Sequence, residues 1–260
     1  MRISTWNLLA PEFTRIEGGR DFYALAHPWD EWPRRHPRLL RDTLALDADL
    51  LCLQELSSPF WSGTLHPALE RAGYQAHFTA RPGTGVGVAI AWRCGVLRLE
   101  EAHPPAAVRG NLGRSVAVTL RSGDAGPQLT AMSVHLDWSP DPEERRLTLD
   151  AALAVLNDRP SDDAQLLAGD VNFDPHTHAD WPRWAAEGWQ TTHPMRDMPT
   201  WAADGRADRL DAVLIRGRLT VVERPRVAQV SASPGLPSEA HPSDHVPLSA
   251  RLAWTTPIAR

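Results

Sequence analysis

Cysteine is scarce in this chain: only Cys52 and Cys94 occur, too few for a disulfide framework. Both lie in apolar stretches and read as buried, inert thiols. An excess of positive charge is also lacking. There is no basic tail and no lysine-rich block, and the formal net charge is −5. Proteins that hold long nucleic acid mainly through its phosphates carry a basic stripe, so that mode is disfavoured. A few arginines in a cleft would still suffice for one or two phosphates. No apolar run is long enough for a membrane span, and the N-terminus has no leader pattern, so the expected location is cytoplasmic with no membrane partner. No obligate protein partner is evident either. Repeats, low-complexity tracts and linkers are missing too, so residues 1–260 are expected to form one domain with a sizeable core.

What is present is a dense series of short apolar runs bounded by Gly, Pro, Asp or Ser. Expected strands are Arg2–Leu8, Asp49–Gln54, Gln75–Ala80, Val86–Trp92, Val96–Glu101, Ser115–Arg121, Gln128–Leu136, Ala164–Ala168, Ala212–Ile215, Leu219–Val227 and Pro247–Ala253. Helical spacing covers Pro33–Asp47, Pro59–Ala72 and, most clearly, Pro142–Asn157, where Leu149, Leu153 and Leu156 share a face. Pro140 and Pro142 suit the start of that helix. Some strands alternate with helices and others follow one another directly. The mixture predicts an α/β (α+β) fold, with stacked sheets and helices outside them. Pro104-Pro105 and Ser233–Pro237 read as surface loops.

The polar residues carry the functional signal. Strand-like runs end at Asn7, at Gln54-Glu55, at His135 and at Asp170 with Asn172 two residues on. Ser243-Asp244-His245 precedes the last strand. Carboxylates gathered at strand ends would repel one another, and a bound cation removes that cost. Oxygen ligands from Glu and Asp suit a hard ion such as Mg²⁺ or Mn²⁺. A nearby Asp–His pair supplies acid/base capacity, with the acid orienting the imidazole. Together these are the parts a phosphoesterase needs.

Thr5-Trp6-Asn7, Leu53-Gln54-Glu55, Ser133-Val134-His135-Leu136, Gly169-Asp170-Val171-Asn172, Asp211-Ala212-Val213 and Ser243-Asp244-His245 resemble the ordered motifs of the endonuclease/exonuclease/phosphatase (deoxyribonuclease I-like) superfamily. The motifs run over nearly the whole chain. Asn7-Leu8-Leu9-Ala10, Trp32-Pro33-Arg34-Arg35 and Asp47–Glu55 are similar to the deadenylase/nocturnin branch. Thr200-Trp201 and Asp208-Arg209-Leu210-Asp211 are similar to tyrosyl-DNA phosphodiesterase 2. Abasic-site endonucleases have an acid where this chain has Leu9, which sets it apart from them.

The resemblance implies a four-layer sandwich of two mixed β-sheets packed face to face, with helices on both outer sides. It also implies roles. Glu55 is the main metal ligand, Asp244 a second carboxylate on the metal side, and Asn7 a support for that site. Asp170 orients or deprotonates water, and Asn172 holds a phosphate oxygen. His245, oriented by Asp211, binds phosphate or serves as acid/base. His135 stabilises the phosphate or assists the leaving group. Arg114 is a candidate for reaching phosphate, and Trp138 and Trp201 for stacking a base or sugar. Arg145 and Arg146 read as solvated surface. His176 and His178 fit no zinc spacing and read as a loop. The expected substrate is a phosphodiester or phosphomonoester in a nucleotide or single-stranded nucleic acid. The alternatives are a small sugar or lipid phosphate, or a non-catalytic binding module that keeps the fold.

Overall fold

The computed structural model describes residues 1–13, 32–105, 108, 113–158, 164–193, 198–203, 205–223, 227–230, 232, 235–238 and 240–255. In chain order its strands are β1 (Arg2–Asn7), β2 (Leu50–Ser57), β3 (Tyr74–Ala80), β4 (Val86–Arg93), β5 (Leu97–Ala102), β6 (Ser115–Ser122), β7 (Gln128–His135), β8 (Ala164–Asp170), β9 (Gln190–Thr191), β10 (Trp201–Ala203), β11 (Arg206–Asp208), β12 (Asp211–Gly217), β13 (Leu219–Glu223) and β14 (Leu248–Trp254). The helices are α1 (Trp32–Ala45), α2 (Ser58–Phe60), α3 (His66–Arg71), α4 (Pro142–Asn157) and α5 (Trp181–Ala186).

The strands form two six-stranded sheets, ordered β13-β14-β1-β2-β4-β3 and β5-β6-β7-β8-β12-β9, plus a β10–β11 ribbon. Each large sheet is mixed: β1 runs parallel to β2, and β7 parallel to β8, while the other pairs are antiparallel.

Successive side chains of a strand point to opposite faces, and three apolar layers follow from that alternation. Ile3, Leu50, Cys52, Val88 and Ile90 of the first sheet pack against Val118, Leu129, Ala131, Leu166 and Val213 of the second. Trp6, Leu51, Leu53 and Ala89 face outward and are covered by Leu39 of α1 and by Leu65 and Leu69. Met132, Val134, Leu167 and Leu214 are covered by Leu149, Leu153 and Leu156 of α4 and by Trp184 of α5. The expected four-layer sandwich is therefore the observed fold. No helix among the described residues is long and apolar enough to cross a membrane.

Helix α4 begins and ends where its sequence predicts. Asp141 is its N-cap and accepts from Glu143 N at 2.9 Å, and Pro142 occupies the first turn, where its missing N–H costs nothing. The helix expected over Pro59–Ala72 is three pieces instead: α2, a π-helical turn (Trp61–Leu65) and α3. The π turn lets both Trp61 and Leu65 face the sheet. The strand expected at Leu219–Val227 ends at Glu223, and residues 224–226 lie outside the described set.

Two expectations fail on burial. Cys94 sits in the turn after β4 and is exposed, whereas Cys52 is buried and its thiol is pushed up to about 12 by burial. Of the surface loop expected over Ser233–Pro237, residues 233 and 234 lie outside the described set, and Leu236 is buried against Ala202 and Val246. Gly83 and Gly85 make the expected turn into β4, both at positive φ.

Candidate active site

The site continues the ladder of inward-facing residues at one end of the sandwich. On β1 the inward positions are Ile3, Thr5 and Asn7; on β7 they end at Ser133 and His135; on β8 at Ala168 and Asp170; and β12 begins with Asp211. Register sets His135 opposite Asp170, and Asp170 opposite Asp211. Just inside lies a buried polar layer. The Gln54 amide donates to Thr5 Oγ1 at 3.1 Å and, across the sheets, to Ser133 Oγ at 3.2 Å.

Glu55 does not follow the alternation. A bulge in the β2–β4 register falls between Leu53 and Leu56, and Glu55 has φ +51°. A non-glycine residue in that region costs about 1–3 kcal/mol and persists only where its surroundings impose it. The twist turns the Glu55 carboxylate back to Asn7 Nδ2 (2.9 Å) and to the backbone N–H of Ala10 (3.1 Å). Asn7 is fully committed: Nδ2 also donates to Asp170 Oδ2 at 3.0 Å, and Oδ1 accepts from Leu9 N at 3.0 Å. Leu9 is itself at φ +51°.

Asp170 is the hub. Its Oδ1 accepts from Asn172 N at 2.9 Å, and its Oδ2 lies 3.7 Å from His135 Nε2 and 3.6 Å from His245 Nε2. Asn172, at φ +61°, anchors its own amide on Leu136 O at 2.8 Å; Asn tolerates this conformation better than most residues. Close approach of β7 and β8 requires glycine beside the hub, since a Cβ on Gly169 would meet Val134 O at 1.9 Å.

The electrostatics divide the histidines. Burial, Arg81, Arg114 and His245 hold His135 well below its ordinary range, so it is neutral. Burial opposes charge on His245 too, but Asp211, Asp244 and Asp170 outweigh it and hold the imidazolium well above that range. Its Nδ1 lies 2.8 Å from Asp211 Oδ2. Burial pushes Glu55 up to about 7, with Asp244 adding to the effect, and burial likewise pushes Asp170 to about 7.

Asp244 is held from outside the ladder, by Trp201 Nε1 at 3.0 Å and Ser243 Oγ at 3.4 Å. The single Ser243 hydroxyl proton goes chiefly to Asn7 O, the shorter contact at 2.7 Å, and Trp6 Nε1 donates to His245 O at 2.9 Å. The remaining sequence candidates are less central. Trp201 lies beneath the Arg206 guanidinium, 5.3 Å from its ring centre. Trp138 is 65% exposed and makes no hydrogen bond or ring contact among the described residues. Arg114 pairs with Asp137 and donates to His135 O at 3.5 Å; burial and Arg81 lower it to about 10.

Two arginines escaped the sequence reading of the site. Arg81 follows β3, lies 3.5 Å from His135 Nδ1, and covers the Phe13 ring. Arg35 of α1 is buried and donates to Leu8 O, Leu9 O and Pro242 O, tying the first and last motifs together. Its helical position carries no sign of that reach. Arg81 could have been found by its place at a strand end.

Glu55, His135 and Asp170 offer ligand atoms within 4.8 Å of one another. Two carboxylates raised to about 7, Asp170 buried and Glu55 partly so, and a neutral imidazole form a donor set that a divalent cation would relieve of repulsion, so the residues present fit such an ion. Among the described residues His176 and His178 join no such group, and they pack on Trp181 and Trp184.

Two mixed sheets ending in an acid–amide–histidine cluster define the deoxyribonuclease I-like class of sandwich. Residues 4–245 match the Endonuclease/Exonuclease/phosphatase family, and the chain belongs to that family. The rat (Rattus norvegicus) 2′,5′-phosphodiesterase 12 is 26% identical over 316 residues, which is 98% of this chain and 52% of that protein. The chain thus spans about half the length of that relative. The structure of ANGEL2, a 2′,3′-cyclic phosphatase, superposes with a TM-score of 0.81 at 18% identity, covering 96% of this chain and 94% of that one. The human Nocturnin catalytic domain gives 0.74 at 22% identity, covering 98% and 94%.

Proposed function

We propose that this protein is a divalent-metal-dependent phosphoesterase that hydrolyses a phosphate ester in a nucleotide or short nucleic acid. The observation that carries the reading is the Asp170 carboxylate. It is buried, raised to about 7, fixed through one oxygen by Asn172, and set through the other among Asn7, His135 and His245. A general base works best with a pKa near the operating pH.

Asp170 takes the proton of the attacking water. His245, kept cationic by Asp211, directs Nε2 toward the phosphate and stabilises negative charge as it develops. Asn172 and neutral His135 complete the cradle. Glu55 would hold Mg²⁺ or Mn²⁺, with Asp244 adding negative charge and Asn7 orienting the Glu55 carboxylate. The bound cation supplies Lewis-acid stabilisation of the phosphate. Arg81 and Arg114 lie on the His135 side, where they suit phosphate oxygens. Trp201 positions Asp244 in this scheme, and Trp138 is free to stack on a base.

The name of the rat relative makes 2′,5′-linked oligonucleotides natural test substrates, and the ANGEL2 neighbour does the same for 2′,3′-cyclic phosphates. A hydrolysis panel tests the reading. It contains those two, 3′,5′-linked RNA, single- and double-stranded DNA, a 5′-tyrosyl oligonucleotide, mononucleotides, sugar and inositol phosphates, and bis-p-nitrophenyl phosphate, each with Mg²⁺, Mn²⁺ or EDTA. Metal-dependent turnover is expected, best on a nucleotide-containing substrate. A sugar phosphate as best substrate would replace the substrate assignment. No turnover together with no metal binding would remove the enzyme reading and favour a binding module.

A further inference from the structure

Beside Asn172 the structure opens into a cavity of about 400 Å³, lined in part by Arg145, Phe173, Asp174, Asp208 and Arg209. Asn172 belongs to both places: its backbone N–H holds Asp170, and the residue is part of the cavity lining. The cavity therefore adjoins the hub of the site, on a different residue from the His135 side where Arg81 and Arg114 lie.

Its two arginines differ. Arg209 lies 3.7 Å from Asp174 and donates to His193 O, so it braces the cavity wall. Arg145, on the first turns of α4, makes no ion pair and no side-chain hydrogen bond among the described residues, and its Nε is shielded from solvent. The next residue shows the contrast: Arg146 is taken up by Glu143, Asp150 and Asp180. Arg145 is half-buried rather than the solvated surface its sequence position suggests. A shielded, unpaired guanidinium donor is costly, and its planar fork matches a phosphate. Of the two carboxylates in the wall, Asp174 is offset by Arg209 and Asp208 is exposed.

We infer that Arg145 is a specificity-determining residue that receives a second phosphate of the substrate, beside the one at the bond being cleaved. The favoured substrates then carry two phosphate groups on a nucleotide-sized scaffold. The inference rests on the phosphoesterase reading of the neighbouring site, so its test is a binding measurement that does not depend on turnover.

Calorimetric titration compares adenosine 3′,5′-bisphosphate with adenosine 5′-monophosphate on the full chain, for wild type, Arg145→Gln and Arg145→Lys. Wild type is expected to bind the bisphosphate at least about tenfold tighter, the size of one charge-assisted bidentate contact. Arg145→Gln should bring the ratio close to one, and Arg145→Lys should keep part of it. Equal binding of the two ligands by wild type, or an unchanged ratio in Arg145→Gln, overturns the inference. Hydrolysis of bis-p-nitrophenyl phosphate, which has no second phosphate, reports separately on the phosphoesterase reading.

Discussion

Asn7 Nδ2 reaches from the first sheet to Asp170 Oδ2 on the second, 3.0 Å away, in a buried contact between residues 163 positions apart. The same amide nitrogen holds Glu55, so one side chain spaces the two carboxylates and sets their distance. This arrangement makes Asn7 a structural test of the site as well as a functional one.

Replacing Asn7 with Ala removes two hydrogen bonds to carboxylates. The expected loss is about 2–3 kcal/mol of stability in EDTA at pH 8, where such charge-assisted bonds count most. Asn7→Asp should lose more, because it places a third carboxylate between two others, and Mg²⁺ should restore a larger share of its stability than it does for Asn7→Ala. Urea unfolding with and without the cation measures both. Stability unchanged in either variant contradicts the spacing role.

Asp211 acts through His245. The folded pKa of His245 is raised, so its stabilising contribution is full below the ordinary 6.5 and is lost as pH rises through the raised value. In Asp211→Asn the acid that contacts Nδ1 at 2.8 Å is gone, and that loss occurs at lower pH. The alkaline limb of the kcat/KM profile should move to lower pH, with kcat reduced roughly 10²-fold, the usual contribution of a positioned acid/base group. A lower rate with an unmoved profile would show that Asp211 does not set the charge on His245.

The metal should compete with protons at Glu55. Its folded pKa of about 7 stands above the ordinary 4.5, so its contribution to stability is full below 4.5 and is lost as pH rises toward 7. Asp170, also raised to about 7, works in the same direction as Glu55, while His135 and His193, both lowered, work in the opposite direction as pH falls. Comparing wild type with Glu55→Gln cancels them. In EDTA the stability of Glu55→Gln relative to wild type should rise between pH 4.5 and 7 and then level off. In wild type the thermal shift produced by Mg²⁺ should grow across the same window, since binding requires the deprotonated carboxylate. Thermal unfolding across that pH range checks both, and a Mg²⁺ shift independent of pH would count against Glu55 as a ligand.

Much of the fold could be read from period-two alternation and strand-end punctuation, because both report which face of a strand is buried. Helix α4 was legible to the residue, since Asp141, Pro142 and the Leu149–Leu153–Leu156 face agree. The ribbon strands β10 and β11 and the short helix α5 were not. They carry too few residues for a period to show, and Trp201 is placed by its bond to Asp244 and its bridge to His245 rather than by propensity. For the candidate site, the motif residues Asn7, Glu55, His135, Asp170, Asn172, Asp211, Asp244 and His245 converge in the structure. Alternation alone would have put Glu55 on the wrong face; the bulge and left-handed turn that redirect it have no sequence signature. Arg35 and Arg145 show the same limit, because burial of a helical arginine depends on what packs against it.

The most direct test of the central claim is kcat for bis-p-nitrophenyl phosphate with saturating Mg²⁺ or Mn²⁺, comparing wild type with the isosteric Asp170→Asn. The account predicts a loss of about 10³-fold or more, the scale of removing a group that acts as part of a preorganised site, with metal-dependent turnover in wild type abolished by EDTA. Turnover in Asp170→Asn within a few-fold of wild type, or wild-type turnover indifferent to EDTA, would contradict it.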